Sequence, residues 1–497
     1  MESFGFWSVL PPVIAILIAI RTKQVFASLL FGIWLGWVII NEGNVLTGTM
    51  DTIQALVDVF KDPGNTRTIM FSALVGSLIL LIQQSGGVQG FINWVENYLK
   101  KYEGKKDGSK RKIIQILAWL TGIIVFVETS ISSLTVGTLF RPLFDKLKIP
   151  REKLAYIADS SSAPISILLP FNAWGAFIMG LLIAEGFSNP FSVLFKSIAY
   201  NFYPILTLIL VPVIILSGKD FGAMAKAEKR AQKTGKVLAD NAKPMLSNEL
   251  TKVKPKGGIP HRAYNMVIPI AVMVLMMPVM LAITGWSAIS IQDPELSGMG
   301  KIFQAIGQGS GSTAVLTGVI TALFVSFLMF RIQKIMKFSE LVEGTLKGIS
   351  ELMPLALLMM LAFGISAVCR NLETGIYVAD LAKKLISPAL IPCIVFILSS
   401  FIAFSTGTSW GTFAIMISIA VPMAQNLDVN VYLTIAAALG GGVFGDHASP
   451  ISDTTIISSM ASASDHIDHV KTQIPYALVT GTISAILYLV LGFIYTA

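Results

Sequence analysis

Two aspartates, a histidine and a proline interrupt an otherwise apolar part of the chain, where residues 440–458 read GGGVFGDHASPISDTTIIS. Asp446 and Asp453 bring carboxylates, and Ser449, Ser452 and Thr454 bring hydroxyls. Oxygen donors of this kind suit a hard cation, and a small monovalent ion such as Na⁺ fits them. Pro450 lacks a backbone donor and disfavours helix at the residue before it, so a helix is expected to break there. Carbonyls freed beside such a break can add to the cation's shell. His447 has two readings: proton coupling near neutral pH, or a hydrogen bond that orients Asp446 or a carbonyl.

A similar stretch, DSSSAPIS at 159–166, supplies Asp159 and Pro164, and Pro164 is expected to break a helix in the same way. Asp453 has no equivalent there, because Leu168 follows Ser166 and Ile167. The site should therefore be asymmetric, with more charge in the later stretch. Two further polar tips fall within apolar sequence. FVETSISSLTVG (126–137) holds Glu128, Thr129, Ser130, Ser132 and Ser133, and FSTGTSWGTFAI (404–415) holds Thr406, Thr408, Ser409 and Thr412. An intramembrane carboxylate such as Glu128 is functional by default. A single hydroxyl can simply bond back to its own helix, but a clustered, repeated set is expected to line a site.

The surrounding elements must be membrane helices. The chain has 497 residues, 54% hydrophobic and 13% charged, against roughly 25% charged in soluble domains. This is the composition of an all-α polytopic membrane protein. The first apolar segment lacks a basic flank and a cleavage site, so it reads as a retained span. Cys369 and Cys393 lie in apolar runs and read as small hydrophobes rather than a disulfide pair. The net charge of +8 sits in short loops, which is a topology signal and not a nucleic-acid one.

Residues 1–217 read as a first transmembrane repeat, 218–262 as a basic, solvated cytoplasmic linker with one amphipathic helix near 221–239, and 263–497 as a second repeat. Three matches in the same order carry the repeat: Gly87 with Gly375, Thr129 with Thr408, and Pro164 with Pro450, at separations of 288, 279 and 286 residues. Loops 100–112 and 141–153 hold seven and five Lys/Arg, whereas their later counterparts hold two and none. The positive-inside rule then places equivalent loops on opposite faces, so the repeats are expected to be inverted. Segments near 15 residues reach only some 22 Å at 1.5 Å per residue, short of the roughly 30 Å hydrocarbon core. Broken helices or re-entrant hairpins follow, tolerated where they line a buried cavity.

The long motif GGGVFGDHASPISDTTIISS, followed by DHIDHVKTQIPYAL, resembles the C-terminal signature of the NhaC-type Na⁺/H⁺ antiporter family of the ion transporter superfamily. The resemblance implies exchange of cytoplasmic Na⁺ or Li⁺ for external H⁺ across a cell membrane. It also implies a scaffold plus a mobile transport domain, elevator-like motion and a homodimer. No cofactor is implied, since Na⁺ and H⁺ are cargo. Within that reading Asp446, Asp453, Asp159 and Glu128 hold the cation or protons, with Thr129, Ser130, Thr408, Ser409, Ser449, Ser452 and Thr454 completing the shell.

The alternative is a Na⁺- or H⁺-coupled carrier of a small organic carboxylate or amino acid, for which Asn172, Trp174 and Trp410 would line a pocket. His466 and His469 sit between Asp465 and Asp468 but lack transition-metal spacing; they read as a solvated loop or helix start, with Ser464 or Asp465 as cap. Gly440–Gly442 is followed by no Gly-Lys-Ser/Thr, so ATP-driven transport is not expected, and no spaced nucleophile–base pair suggests an enzyme.

Overall fold

The computed structural model describes residues 4–22, 24–100, 107–126, 129–244, 257–289, 301–302, 305–306, 308–385 and 387–496. Helices account for the architecture. The first half runs α1 (Leu10–Thr22), α2 (Val25–Ile40), α3 (Val45–Asp58), α4 (Pro63–Gln84), α5 (Gly87–Lys100), α6 (Asp107–Ile124), α7 (Thr129–Lys146), α8 (Arg151–Leu168), α9 (Ala173–Ala184), α10 (Pro190–Ile198) and α11 (Phe202–Ser217). α12 (Gly222–Thr234) lies in the basic linker. The second half runs α13 (Tyr264–Ile289), α14 (Gly311–Ile332), α15 (Phe338–Asn371), α16 (Thr374–Leu385), α17 (Ile391–Thr406), α18 (Ser409–Asn426), α19 (Val431–Ala448), α20 (Asp453–Ala461) and α21 (His466–Thr496). Among the described residues eight helices are long and apolar enough to cross a membrane. Leu275, Ile283, Phe324 and Leu328 on α13 and α14 are exposed, as lipid-facing positions are.

Helix bounds expose a repeat sharper than the sequence matches. α7 and α18 have 18 residues each, as do α8 and α19, and their first and last residues are all 280 positions apart. The starts of α9 and α20 keep the same offset. At 1.5 Å per residue each of these 18-residue helices is about 27 Å long, a little short of the hydrocarbon core.

This register corrects the role expected of Pro164. α8 runs through Pro164 to Leu168 and stops at Leu169, whose φ of −105° and ψ of 107° are extended. Pro170 follows, and it is Pro170 that imposes the break by disfavouring helix at the residue before it. Its partner at offset 280 is Pro450, which follows the extended Ser449 at φ −80° and ψ 133°. Asn172 then caps α9 through Gly175 N–H at 3.1 Å, and Ser452 caps α20 through Thr455 N–H at 3.5 Å. Inside α8, Pro164 leaves the Ser160 carbonyl without its helical donor, and Ser161 and Ser166 bond back to the backbone around it.

The glycine run of the opening motif serves packing. A Cβ on Gly441 would sit 2.3 Å from Phe396 O of α17, and one on Gly445 would sit 2.2 Å from Ser400 O. Small residues four apart thus let α17 and α19 meet backbone to backbone. Gly76 of α4 and Gly348 of α15 do the same, with a Cβ on Gly76 only 2.3 Å from Gly348 O. Gly348→Val should therefore lower stability by about 1–3 kcal/mol through overpacking. Thermal unfolding in detergent checks this, and an unchanged midpoint contradicts the close approach.

The linker is not simply solvated. α12 buries Met224, Ala227, Glu228 and Ala231 against the membrane helices. Lys153 near the start of α8 pairs with Asp220 at 2.7 Å and Glu228 at 3.0 Å, and Arg111 of α6 reaches Glu228 at 2.6 Å. Arg230 bonds Glu152 at 2.9 Å, and Tyr476 of α21 donates to Asp220 at 2.9 Å. The apolar stretch at the end of the first half is two helices, α10 and α11, parted at Ala199–Asn201.

Candidate functional site

Asp446, one turn from the C-terminus of α19, is 2% exposed. Its Oδ2 accepts 2.9 Å from Ser409 Oγ at the N-terminus of α18, and its Oδ1 has no hydrogen-bond partner. Asp159 lies mid-helix in α8 and is 0% exposed. Its Oδ2 accepts from Gln473 Nε2 at 2.7 Å, and its Oδ1 is likewise unpartnered. Asp453 opens α20, is exposed, and accepts Thr454 N–H at 2.8 Å. Asp453 and Asp159 are the charged neighbours of Asp446. Among the described residues no lysine or arginine pairs with either buried carboxylate; the ionisable partner is His447, 4.0 Å from Asp159 Oδ2.

His447 is held on both ring nitrogens. Tyr203 Oη lies 2.6 Å from Nδ1, and Ser160 Oγ lies 3.1 Å from Nε2. Its carbonyl accepts from Gln473 Nε2 at 2.6 Å, so one amide ties Asp159 to the end of α19. The tips and breaks are stitched together as well. Ser449 Oγ donates to Phe404 O at 2.7 Å beside the second tip. Beside the first, Asn172 Nδ2 and Ser166 Oγ donate to Phe126 O at 3.2 and 3.4 Å.

The predicted residues thus divide. Asp446, Asp159, Asp453, His447, Ser409, Ser449, Ser452 and Thr454 gather around the second break, where Ser452 Oγ and Thr454 Oγ1 are 3.0 Å apart. The first tip's hydroxyls join helix packing instead. Ser132 donates to Gly122 O at 2.9 Å, and Ser133 links Ser162 at 2.9 Å and Ser458 at 3.1 Å. Thr129 is buried at the start of α7 and Ser130 is half-buried. Thr408 contributes its carbonyl, which accepts from Thr412 Oγ1 at 3.1 Å. Glu128 lies outside the described residues.

Two of the residues expected at an organic-solute pocket, Asn172 and Trp174, are engaged by the protein itself. Asn172 spends its amide on Phe126 O, Ser166 O and Gly175 N–H. Trp174 packs on Trp410 with ring centroids 5.3 Å apart and on Phe413 at 5.8 Å. The reading of His469 as solvated fails, because it is 0% exposed and bonded on both nitrogens. The helix-start reading holds: Asp465 caps α21 through Asp468 N–H at 3.0 Å. Burial opposes its charge, but the N–H groups of Asp468, Lys243 and Ile467 hold the Asp465 carboxyl below the usual range.

Sequence reasoning passed over Gln473, Tyr203, Ser160 and Ser459. Gln473 carried a signal: with His466 and His469 it falls at helical spacing, i, i+3, i+7, on one face of α21.

The profile of the Na⁺/H⁺ antiporter family matches residues 182–493. An uncharacterized protein of Haemophilus influenzae is 31% identical over 99% of this chain and 92% of its own length. The malate-2H⁺/Na⁺-lactate antiporter of Bacillus subtilis is 29% identical over 35% of this chain and 38% of its own. The fold is similar to that of the YdaH transporter of Alcanivorax borkumensis, at TM-score 0.52 and 11% identity over 90% of this chain and 89% of that one. The profile covers more than half of the chain, including the second break at Pro450, and this multi-pass helical membrane protein belongs to the Na⁺/H⁺ antiporter family.

Proposed function

We propose that this secondary antiporter exchanges Na⁺ or Li⁺ for H⁺ at Asp446, Asp159 and Asp453. The observation that carries the reading is the pair of buried carboxylates, each with one oxygen held by a protein donor and the other unpartnered. A buried carboxylate without a counter-charge is costly by several kcal/mol or more. A cation or a proton relieves that cost, and the two compete for the same oxygens. Ser409, Ser449, Ser452, Thr454, the Ser160 carbonyl freed by Pro164 and the carbonyls at the second break supply neutral oxygens for a dehydrated ion. His447, fixed by Tyr203 and Ser160, stands 4.0 Å from Asp159, whose Oδ2 Gln473 orients.

In this reading α7–α9 and α18–α20 are inverted halves of one transport domain that moves against a scaffold containing α4, α13, α14 and α15, within a homodimer. Competition gives the test. ²²Na⁺ binding to the detergent-purified protein should fall as pH is lowered and recover as pH is raised. Binding that is flat across pH contradicts shared carboxylates. A second reading, coupled carriage of a small organic carboxylate or amino acid, draws on the Bacillus relative's name and on the half-buried Trp410 beside Ser409. It predicts that ion flux requires added solute.

A further inference from the structure

We propose that His466, Ser459 and His469 form a proton-binding relay, leading from the linker side of the protein towards Asp159. The inference rests on the antiport reading and comes from matching donors to acceptors. His466 Nε2 lies 2.7 Å from Pro450 O, an obligate acceptor, so it carries a proton. Gln473 Nε2 faces two acceptors, His447 O and Asp159 Oδ2, which fixes the amide's orientation. Gln473 Oε1 therefore points at His469 Nε2, 2.9 Å away, and that nitrogen carries a proton too.

Both Nδ1 atoms converge on one hydroxyl. Ser459 Oγ is 3.0 Å from His466 Nδ1 and 2.8 Å from His469 Nδ1, and also 2.8 Å from Thr455 O. With both rings neutral, two Nδ1 lone pairs face a hydroxyl that has one proton to give. The cluster is one proton short. Adding one satisfies it: His466 Nδ1–H donates to Ser459 Oγ, and Ser459 O–H donates to His469 Nδ1. The bound proton moves when Ser459 passes its own proton to His469 Nδ1 and takes the one on His466 Nδ1. No bond other than these N–H and O–H bonds changes, and the positive charge has crossed from the half-buried ring to the buried one.

Position fits the role. His466 begins α21 beside Asp465, whose Oδ2 accepts 2.8 Å from the backbone N–H of Lys243 in the basic linker. His469 lies at the other end, one amide away from Asp159. The charged groups facing the cluster are Asp159 on α8, His447 on α19, and Asp465 just before α21, with Asp468 following in its first turn. Glu152 faces Asp468, and Arg151 binds Ala463 O in the turn before α21.

The test is ¹⁵N NMR of histidine-labelled protein, with His466→Gln and His469→Gln for assignment, titrated through about pH 5 to 8. The two rings are expected to keep Nε2 protonated throughout, and to take up one proton between them with both Nδ1 signals moving together. Ser459→Ala should uncouple the two titrations and move the pH of half-maximal Na⁺-driven proton flux by about one unit. Independent titration of the rings in the unmodified protein, or no uptake, overturns the relay, as does an unmoved flux profile in Ser459→Ala. If the unmodified protein shows the shared proton but moves no protons against Na⁺, the antiport reading fails instead.

Discussion

Asp446→Asn should abolish Na⁺-driven proton movement while leaving the protein folded. The substitution keeps the side chain's shape and its acceptor for Ser409, but removes the charge that a cation or proton would neutralise. Losing one member of a buried ion pair costs about 3–5 kcal/mol. For Na⁺ that is a loss of roughly two to three and a half powers of ten in affinity, since each 1.4 kcal/mol is tenfold. Folding should not suffer, because an uncompensated buried charge is removed. Ser409→Ala is the graded companion: it deletes one hydrogen bond to a charged group, about 1.5–3 kcal/mol. Na⁺ binding measured on both variants, with thermal unfolding alongside, separates binding from fold. Asp446→Asn protein that still exchanges Na⁺ for H⁺ contradicts the assignment.

The second large effect concerns stability. Lys153→Met should lower it by about 3 kcal/mol, the low end for breaking a buried ion cluster. Lys153 is 3% exposed and bridges Asp220 and Glu228; once it is gone Asp220 keeps Tyr476, and Glu228 keeps Arg111 and the neutral Gln232. Lys153→Met combined with Glu228→Gln should recover part of the loss, because less unpaired charge remains buried. Thermal unfolding of the two variants decides it. Equal midpoints for Lys153→Met and the unmodified protein would show that α12 is not held by this cluster. Asp159 lies six residues beyond Lys153 on the same helix, so the brace also fixes the helix that carries a site carboxylate.

Apolar run lengths and charge were enough to read an all-helical membrane protein, and the Asp446–Asp453 motif was visible as the most polar break. A repeat was visible too, but none of its three matches, at 288, 279 and 286 residues, keeps the 280-residue register of the helix bounds. Pro164 and Pro450 share the local string Ser/Ala-Pro-Ile-Ser, yet Pro170 is the residue that ends α8. Proline alone does not break a helix whose neighbouring serine hydroxyls bond back to the backbone, and that compensation appears only once the helix is built. Asp159 was picked out by its charge, but its partner Gln473 is 314 residues away, and no local pattern joins them.

The histidines show the reverse case. Their 466, 469, 473 spacing was legible, while burial of His469 depended on α20 folding back over α21 to bring Ser459 between two rings. Thr406 and Thr412 bond to carbonyls of their own helix or tip, the ordinary fate of a membrane hydroxyl. Ser409, three residues before Thr412, instead reaches across to Asp446. Composition cannot rank the three; only the meeting of α18 with α19 does.

The most direct measurement is ²²Na⁺ uptake into proteoliposomes holding the purified protein, driven by an outwardly directed proton gradient with no organic solute present. Na⁺ should accumulate as protons leave the lumen, collapse when an uncoupler dissipates the gradient, and disappear in Asp446→Asn. No gradient-driven uptake until a solute is added, or uptake that persists in Asp446→Asn, would contradict Na⁺/H⁺ exchange at these carboxylates.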